Sequence, residues 1–178
     1  MIKKNDLINS LIDIEGGYVN DVLDSGGETN YGITLETARR NGYVGRMIDM
    51  TYEDAFDIYA NEYWDSISGD ALVLASPNVC GEVFEFGVHA GPNKAARVLQ
   101  RCLNIFNNRQ NLYHDLVVDG NLGKKSLLAL DKYLLSRDES VLLRAQNSLQ
   151  GAHYVELAER REKDERFTYG WFDHRVKI

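Results

Sequence analysis

The amino-acid sequence predicts a mainly α-helical fold with little strand. Apolar residues recur three and four positions apart along most of the 178-residue chain, which is the spacing of one helix face. The chain has only two prolines, so few helices are forced to end by proline. Residues 18–34 are instead rich in Gly, Asn, Asp, Ser and Thr, and they predict a loop with a short hairpin around 30–34.

The first predicted helix ends at Glu15. Glu15 continues a stripe of apolar residues, and two glycines follow it as a stop signal. Burial and the negative end of the helix dipole both disfavour a charged carboxylate there, so we expect a raised pKa for Glu15. The alternative is that Glu15 points to solvent at the helix end. The stripe consists of Leu7, Ile8, Leu11 and Ile12.

The remaining helices are predicted from the same periodicity and from capping residues. Thr34 is expected to cap the second helix, with Thr37 as an alternative start, and Thr51 the third. Gly91 breaks a buried helix, and Pro92 fits the first turn of the next one. The expected ranges are 35–41, 52–64, 79–90, 92–106, 124–136 and 139–165.

Composition and charge exclude several classes of protein. The net charge of −7 is unevenly distributed. Residues 1–90 contain 5 Lys/Arg and 16 Asp/Glu, whereas residues 91–178 contain 15 Lys/Arg and 11 Asp/Glu. The acidic first half therefore does not suit a nucleic-acid partner. Cys80 and Cys102 do not make a disulfide framework, and buried thiols are expected. The four histidines lack ligand spacing, so we expect no metal and no cofactor.

The N-terminal residues do not resemble a signal peptide, because polar residues interrupt the apolar pattern after Lys3 and Lys4. No run approaches the roughly 18 apolar residues of a membrane span, so no membrane insertion is expected. We expect synthesis in the cytoplasm, and another factor would have to move the protein to any target outside it.

Oxygen-bearing side chains beyond Glu15 suggest a two-carboxylate glycosidase. Asp24 and Thr29 follow on the adjoining loop. In an inverting enzyme a gap of roughly 6.5–9.5 Å between the two carboxyl groups holds the attacking water. Asp24 and Thr29 are the candidates to position that water, with Glu28 as the alternative carboxylate and Asn30 as the alternative to Thr29.

The N-terminal motifs closely resemble the signature of glycoside hydrolase family 108, which contains phage endolysins and secretion-associated muramidases. The resemblance implies a lysozyme-like fold, N-acetylmuramidase activity and Glu15 as the catalytic acid. The spacing is also similar to the Glu-eight-Asp-five-Thr pattern of phage-type lysozymes, although Thr29 lies one position short. The matching motifs are Glu15-Gly-Gly-Tyr18, Asn20-Asp21, Asp24-Ser-Gly-Gly-Glu-Thr29 and Asn30-Tyr-Gly-Ile-Thr34.

The second half resembles the helical peptidoglycan-binding region that accompanies this family. We therefore expect a lysozyme-like catalytic region with a small β-hairpin over 1–75, packed on a helical peptidoglycan-binding region over 76–178. No linker separates the two, so one compact body is expected. The motifs are Phe86-Gly-Val-His-Ala-Gly-Pro92, Ala95-Ala96-Arg97-Val-Leu-Gln100-Arg101, Val118-Asp119-Gly120-Asn-Leu-Gly123, Arg166-Phe167, Gly170-Trp171 and Arg175.

Aromatic residues flank the expected cleft in the sequence, and flat rings suit the apolar faces of sugar rings. The alternative is that most of them are core residues, since aromatic side chains dominate packing. Trp171 is expected in the core or docking the C-terminal tail. The expected substrate-binding residues are Tyr18, Glu28, Asn30, Tyr31 and Tyr63.

These implications converge on a monomeric muramidase that hydrolyses the β-1,4 bond between N-acetylmuramic acid and N-acetylglucosamine in periplasmic peptidoglycan. A phage endolysin released through holin pores is the favoured biological role, and a secretion-associated muramidase is the alternative. A lytic transglycosylase and a non-catalytic wall-binding module are the competing activities.

Overall fold

The computed structural model describes residues 2–20 and 27–176, and it is mainly helical as predicted. Short 3₁₀ turns occupy Met47–Asp49, Asp65–Ile67 and Glu162–Asp164. The α-helices are α1 (Lys4–Glu15), α2 (Leu35–Arg40), α3 (Tyr52–Tyr59), α4 (Gly69–Ala75), α5 (Pro77–Ala90), α6 (Pro92–Phe106), α7 (Lys124–Ser136), α8 (Glu139–Arg160) and α9 (Glu165–Arg175).

The two predicted threonine caps are confirmed. The Thr34 side chain accepts a hydrogen bond from the Thr37 amide at 3.2 Å, so α2 begins after Thr34 and not at the alternative start. Thr51 accepts from the Asp54 amide, and Asp54 accepts from the Thr51 amide in return. Each cap satisfies amide groups that lack a partner in the first turn of a helix.

The predicted hairpin is confirmed, and a third strand extends it. Strands β1 (Val19–Asn20), β2 (Glu28–Asn30) and β3 (Ile33–Thr34) form an antiparallel sheet in the order β1-β2-β3. Tyr31 and Gly32 make the tight turn between β2 and β3, both with positive φ. A two-residue strand such as β1 is too short to show an alternating pattern, so it was not predicted from the sequence.

Helix α5 lies at the centre of the molecule. The Phe84 ring contacts Tyr59 and Trp64 on the N-terminal side, at centroid distances of 6.4 and 5.5 Å. On its other side Phe86 contacts Tyr154 of α8 at 6.2 Å. The buried apolar residues therefore form one continuous core that runs through both halves of the chain.

One predicted helix range is confirmed with a change of helix type, and another is wrong. The helix expected over 52–64 is α-helical only to Tyr59 and continues as a π-helical turn over Ala60–Trp64. The next helix, α4, was not predicted, because it begins at a glycine, Gly69. The structure needs glycine there, since a Cβ at this position would lie 2.4 Å from the Trp64 indole. The helix expected over 139–165 ends at Arg160, and α9 follows as a separate helix.

Within residues 2–20 and 27–176, no helix is long and apolar enough to cross a membrane. Cys80 and Cys102 are both buried and unpaired, as expected. Burial raises the pKa of each thiol to about 12, so both are inert as nucleophiles at neutral pH.

Candidate active site

Glu15 is the last residue of α1, and its carboxyl group is mostly buried. Gly16 follows with φ +79, a conformation that lets the chain leave the helix abruptly. The Glu15 side chain is 14% exposed. Burial raises the pKa of Glu15, the positive charge of Arg175 opposes this, and the negative charge of Glu85 adds to it. The net shift is upward, as expected from the sequence.

One oxygen of Glu15 faces two nitrogen donors from distant parts of the chain. The Oε1 atom lies 3.3 Å from Arg175 Nη2 and 3.4 Å from His89 Nε2. Arg175 Nη1 lies 2.6 Å from His89 Nδ1. Because a guanidinium has no acceptor, Arg175 donates this bond, and the ring proton of a neutral His89 is left on Nε2.

His89 is kept neutral by its surroundings. Burial, followed by the charge of Arg175, lowers the pKa of His89 to about 3. Its Nε2 atom is buried and has no hydrogen-bond partner among the described residues, although Glu15 Oε1 lies 3.4 Å away. Arg175 is therefore the cationic member of this trio, and His89 is a neutral ring beside the carboxyl.

The other oxygen of Glu15 lies against the backbone of the β2–β3 turn. A Cβ built on Gly32 would lie 2.8 Å from both Cβ and Oε2 of Glu15. The φ of +72 at this position also favours glycine. Only glycine therefore leaves space beside Oε2.

Three tyrosines surround this turn. The Tyr59 hydroxyl is buried and donates to the carbonyl of Tyr31 at 2.8 Å, which fixes the turn against α3. Burial raises the pKa of Tyr59 well above its usual value, and the charge of Glu15 adds to the shift. The Tyr63 ring lies 5.6 Å from Tyr59 and is partly buried. The charge of Glu15 also raises the pKa of Tyr63, so both Tyr59 and Tyr63 lie near the carboxyl, and Tyr59 is a core residue.

The sheet carries the other predicted side chains. Tyr18 is 36% exposed and its hydroxyl donates to Glu28 Oε1 at 2.7 Å. Thr29 is partly exposed and, because side chains alternate along a strand, lies on the face opposite Glu28 and Asn30. Asn30 is buried, and its Nδ2 donates to the Met47 carbonyl at 2.7 Å. The Asn30 side-chain amide thus holds the 3₁₀ turn Met47–Asp49 against the sheet.

Asp24 lies outside the described residues, so the second carboxylate of the candidate site stays a prediction. Among the described residues, no group of three His, Cys, Asp or Glu side chains is arranged to hold a metal ion.

His89 and Arg175 were not among the site residues predicted from the sequence. Both lie in motifs that resemble the family, but their meeting with Glu15 depends on tertiary packing. Arg175 is 160 positions from Glu15 in the chain. The sequence signal for Arg175 was its position as a charged residue in the C-terminal motif, close to the aromatic residues that dock the tail.

Comparisons with known proteins divide the chain into two matched regions. Residues 8–91 match the family model for Glycosyl hydrolase 108, and residues 94–176 match the model described as Predicted Peptidoglycan domain. The chain also superposes on the structure of Brucella abortus SagA with a TM-score of 0.72 and 26% identity, covering 96% of this chain and 87% of that one. No curated protein sequence matches the chain significantly. Glu15, Gly32 and His89 lie in the first matched region and Arg175 in the second.

Proposed function

We propose that this chain, whose residues 8–91 match the glycosyl hydrolase 108 family model and whose residues 94–176 match a peptidoglycan domain model, is a peptidoglycan hydrolase, specifically an N-acetylmuramidase with Glu15 as the general acid. In this proposal the enzyme hydrolyses the β-1,4 bond between N-acetylmuramic acid and N-acetylglucosamine. The single observation that carries the proposal is the mostly buried Glu15 carboxyl, which faces Arg175 and His89.

The two oxygens of Glu15 have different surroundings, which supports different roles for them in proton transfer. Because Arg175 donates a hydrogen bond to Oε1, the acidic proton is best placed on Oε2, beside Gly32. Burial raises the pKa of Glu15 and so favours the protonated form that a glycosidic general acid requires. When the proton passes to the leaving oxygen, the positive charge of Arg175 stabilises the carboxylate that remains. Arg175 is therefore a positioning residue, and His89 holds its guanidinium by accepting a hydrogen bond.

The attacking water is assigned to Asp24 and Thr29. An inverting glycosidase needs a second carboxylate to activate water on the opposite face of the sugar. Asp24 supplies that carboxylate in this proposal, and the partly exposed Thr29 hydroxyl helps to hold the water. The Asn30 amide donates a hydrogen bond to the Met47 carbonyl, and the Glu28 carboxylate accepts one from the Tyr18 hydroxyl, so both alternative groups already have partners.

Tyr18, Glu28, Tyr31 and Tyr63 are proposed to contact the glycan. The Tyr18–Glu28 pair is at the surface of the sheet, where a ring and a carboxylate oxygen suit sugar faces and hydroxyl groups. Asn30 contributes by holding the strand next to Thr29. We further propose a monomer with catalytic residues 1–75 and wall-binding residues 76–178, acting in phage lysis after holin-type release.

The proposal is tested by incubating purified peptidoglycan with the wild type and with Glu15→Gln. Glu15→Gln is expected to lose at least about 1,000-fold in rate, because the amide donates no acidic proton. Glu53→Gln, the same change at an exposed position in α3, is the control and keeps wild-type activity.

The products decide between the competing activities. Mass spectrometry is expected to find reducing N-acetylmuramic acid ends that have gained one water. Anhydro ends would instead identify a lytic transglycosylase. Binding without cleavage would leave a wall-binding module.

A further inference from the structure

A groove of about 690 Å³ runs between α1, α5 and α8, outside the site described above. Leu7 faces Gly81 near the start of α1 and α5, and Glu15 meets His89 at their ends, so these two helices run in the same direction. Asn78 bonds to Glu139 at the start of α8, so α8 runs alongside them. Helix α5 is therefore the floor of the groove, and α1 and α8 are its walls.

One end of this groove opens beside the candidate catalytic acid. Its α1 wall ends with Ile14, the residue before Glu15. Its floor ends with Glu85, which lies one helical turn before His89 and whose charge acts on Glu15. This end of the groove is therefore the one nearest to Glu15 in the chain.

The lining combines apolar walls with charges of both signs. Leu7, Leu11 and Leu143 face the groove, and Ile14 is 73% exposed within it, which is high for a large apolar side chain. Gly81 keeps the floor low, because a Cβ there would already lie 3.3 Å from Leu7. The charged residues of the lining are Glu82 and Glu85 on the floor and Arg144 on the wall.

We propose that this groove binds the stem peptide of the muramic acid next to the scissile bond, an inference that rests on the proposed muramidase function. Stem peptides combine alanine methyl groups with carboxylates and, in many walls, the ammonium group of a diamino acid. Arg144 is suited to the carboxylates, the Glu82–Glu85 pair to the ammonium group and the leucines to the methyl groups.

The dimensions fit a short peptide. The α1 wall from Leu7 to Ile14 rises about 10 Å, at roughly 1.5 Å per helical residue. Three or four extended peptide residues cover about 10–13 Å, at roughly 3.3 Å each. The groove therefore takes most of one stem peptide, starting from the sugar.

The test compares cleavage of glycan chains that carry stem peptides with cleavage of the same chains after an amidase has removed them. The wild type is expected to show a kcat/KM about tenfold higher on peptide-bearing chains, equivalent to roughly 1.4 kcal/mol of binding. Arg144→Glu is expected to remove most of this preference while leaving the rate on stripped chains unchanged. Ser140→Trp, at an exposed position on the groove wall, is expected to do the same by filling space.

Arg109→Glu is the matched control, since it reverses an exposed charge in the loop after α6, outside the groove and outside the motifs named above, and it is expected to keep the wild-type preference. Equal wild-type rates on the two polymers would overturn the role of the groove while leaving the muramidase proposal intact. A preference that survives both groove variants would also overturn it. Absence of cleavage of both polymers would instead overturn the muramidase proposal, and the groove assignment with it.

Discussion

At the scale of single residues, the chemistry of Glu15 depends on an asymmetry between its two oxygens. Oε1 faces Arg175 and His89, whereas Oε2 faces the backbone of Gly32. Burial raises the pKa of this carboxyl, and Arg175 limits the rise. The proposed acid is therefore neutral before proton transfer, yet its carboxylate has a cation beside it afterwards.

Replacing Arg175 tests this balance. Because the positive charge of Arg175 lowers the pKa of Glu15, Arg175→Gln is expected to raise that pKa further. The alkaline limb of the kcat/KM profile then moves to higher pH, and kcat falls about 10- to 100-fold with the loss of a charged hydrogen bond. Arg175→Lys keeps the charge and is expected to keep the limb near its wild-type position. An unmoved limb in Arg175→Gln would remove Arg175 from the mechanism.

Replacing Gly32 tests the space beside Oε2. Gly32→Ala places a methyl group 2.8 Å from that oxygen and strains a backbone with φ +72. We expect loss of activity with a destabilisation of about 1–2 kcal/mol. Gly42→Ala is the control, since Gly42 has φ +85 but a Cβ added there would have nothing within 4 Å. Equal activity in the two variants would show that catalysis does not depend on the space beside Oε2.

The position of Glu15 could be predicted from the sequence, but its partners could not. The apolar stripe and the double glycine are local signals, so the end of α1 and the buried carboxyl follow from neighbouring residues. The Arg175 contact joins the two ends of the chain, and no local pattern encodes such a contact. Asn30 shows the same limit, since its bond to Met47 depends on how the sheet packs.

At the scale of elements, α9 determines where Arg175 lies. The sequence predicts one helix over 139–165, because residues 161–164 contain neither glycine nor proline. The structure instead turns there, and α9 folds back so that Trp171 packs on Tyr154 at 5.2 Å. Gly151 of α8 allows the close approach, since a Cβ there would lie 3.2 Å from Phe172. Burial of these aromatic residues outweighs continuation of the helix.

Trp171→Ala is therefore expected to affect both stability and catalysis. Loss of a half-buried aromatic contact costs about 1–3 kcal/mol in the free energy of unfolding, less than for a fully buried ring. The alkaline limb is expected to move in the same direction as in Arg175→Gln, because α9 no longer holds the guanidinium in place. Urea unfolding and the pH profile measure the two effects.

Tyr169→Ala is the control for this helix, since Tyr169 is 82% exposed on α9 and neither property is expected to change. A destabilised Trp171→Ala with a wild-type pH profile would contradict the link between α9 and Glu15.

At the scale of the whole molecule, the candidate site joins the two matched regions. Glu15 and His89 come from the glycosyl hydrolase region, and Arg175 comes from the peptidoglycan domain. Central helix α5 packs against both halves, in line with the compact body expected from the absence of a linker. Helical periodicity was enough to predict the fold class, whereas the shared site required the packing of α9 to be known.

The raised pKa of Glu15 also affects the stability of the whole protein. A carboxyl whose pKa is higher in the folded state binds more protons there, so its contribution to stability is present at low pH and is lost as pH rises through the folded-state pKa. The Glu15→Gln variant has no carboxyl to ionise at this position, so its stability does not fall with pH for this reason. The free energy of unfolding of the variant is expected to exceed that of the wild type increasingly as pH rises above 4.5, whereas a constant difference would contradict the raised pKa.

The most direct test of Glu15 as the general acid is a carbon NMR titration of its side-chain carboxyl, with the resonance assigned by its loss in Glu15→Gln. We expect a midpoint above the ordinary value of 4.5 that coincides with the alkaline limb of the kcat/KM profile. A midpoint at or below 4.5, with the limb elsewhere, would contradict the assignment of Glu15 as the general acid.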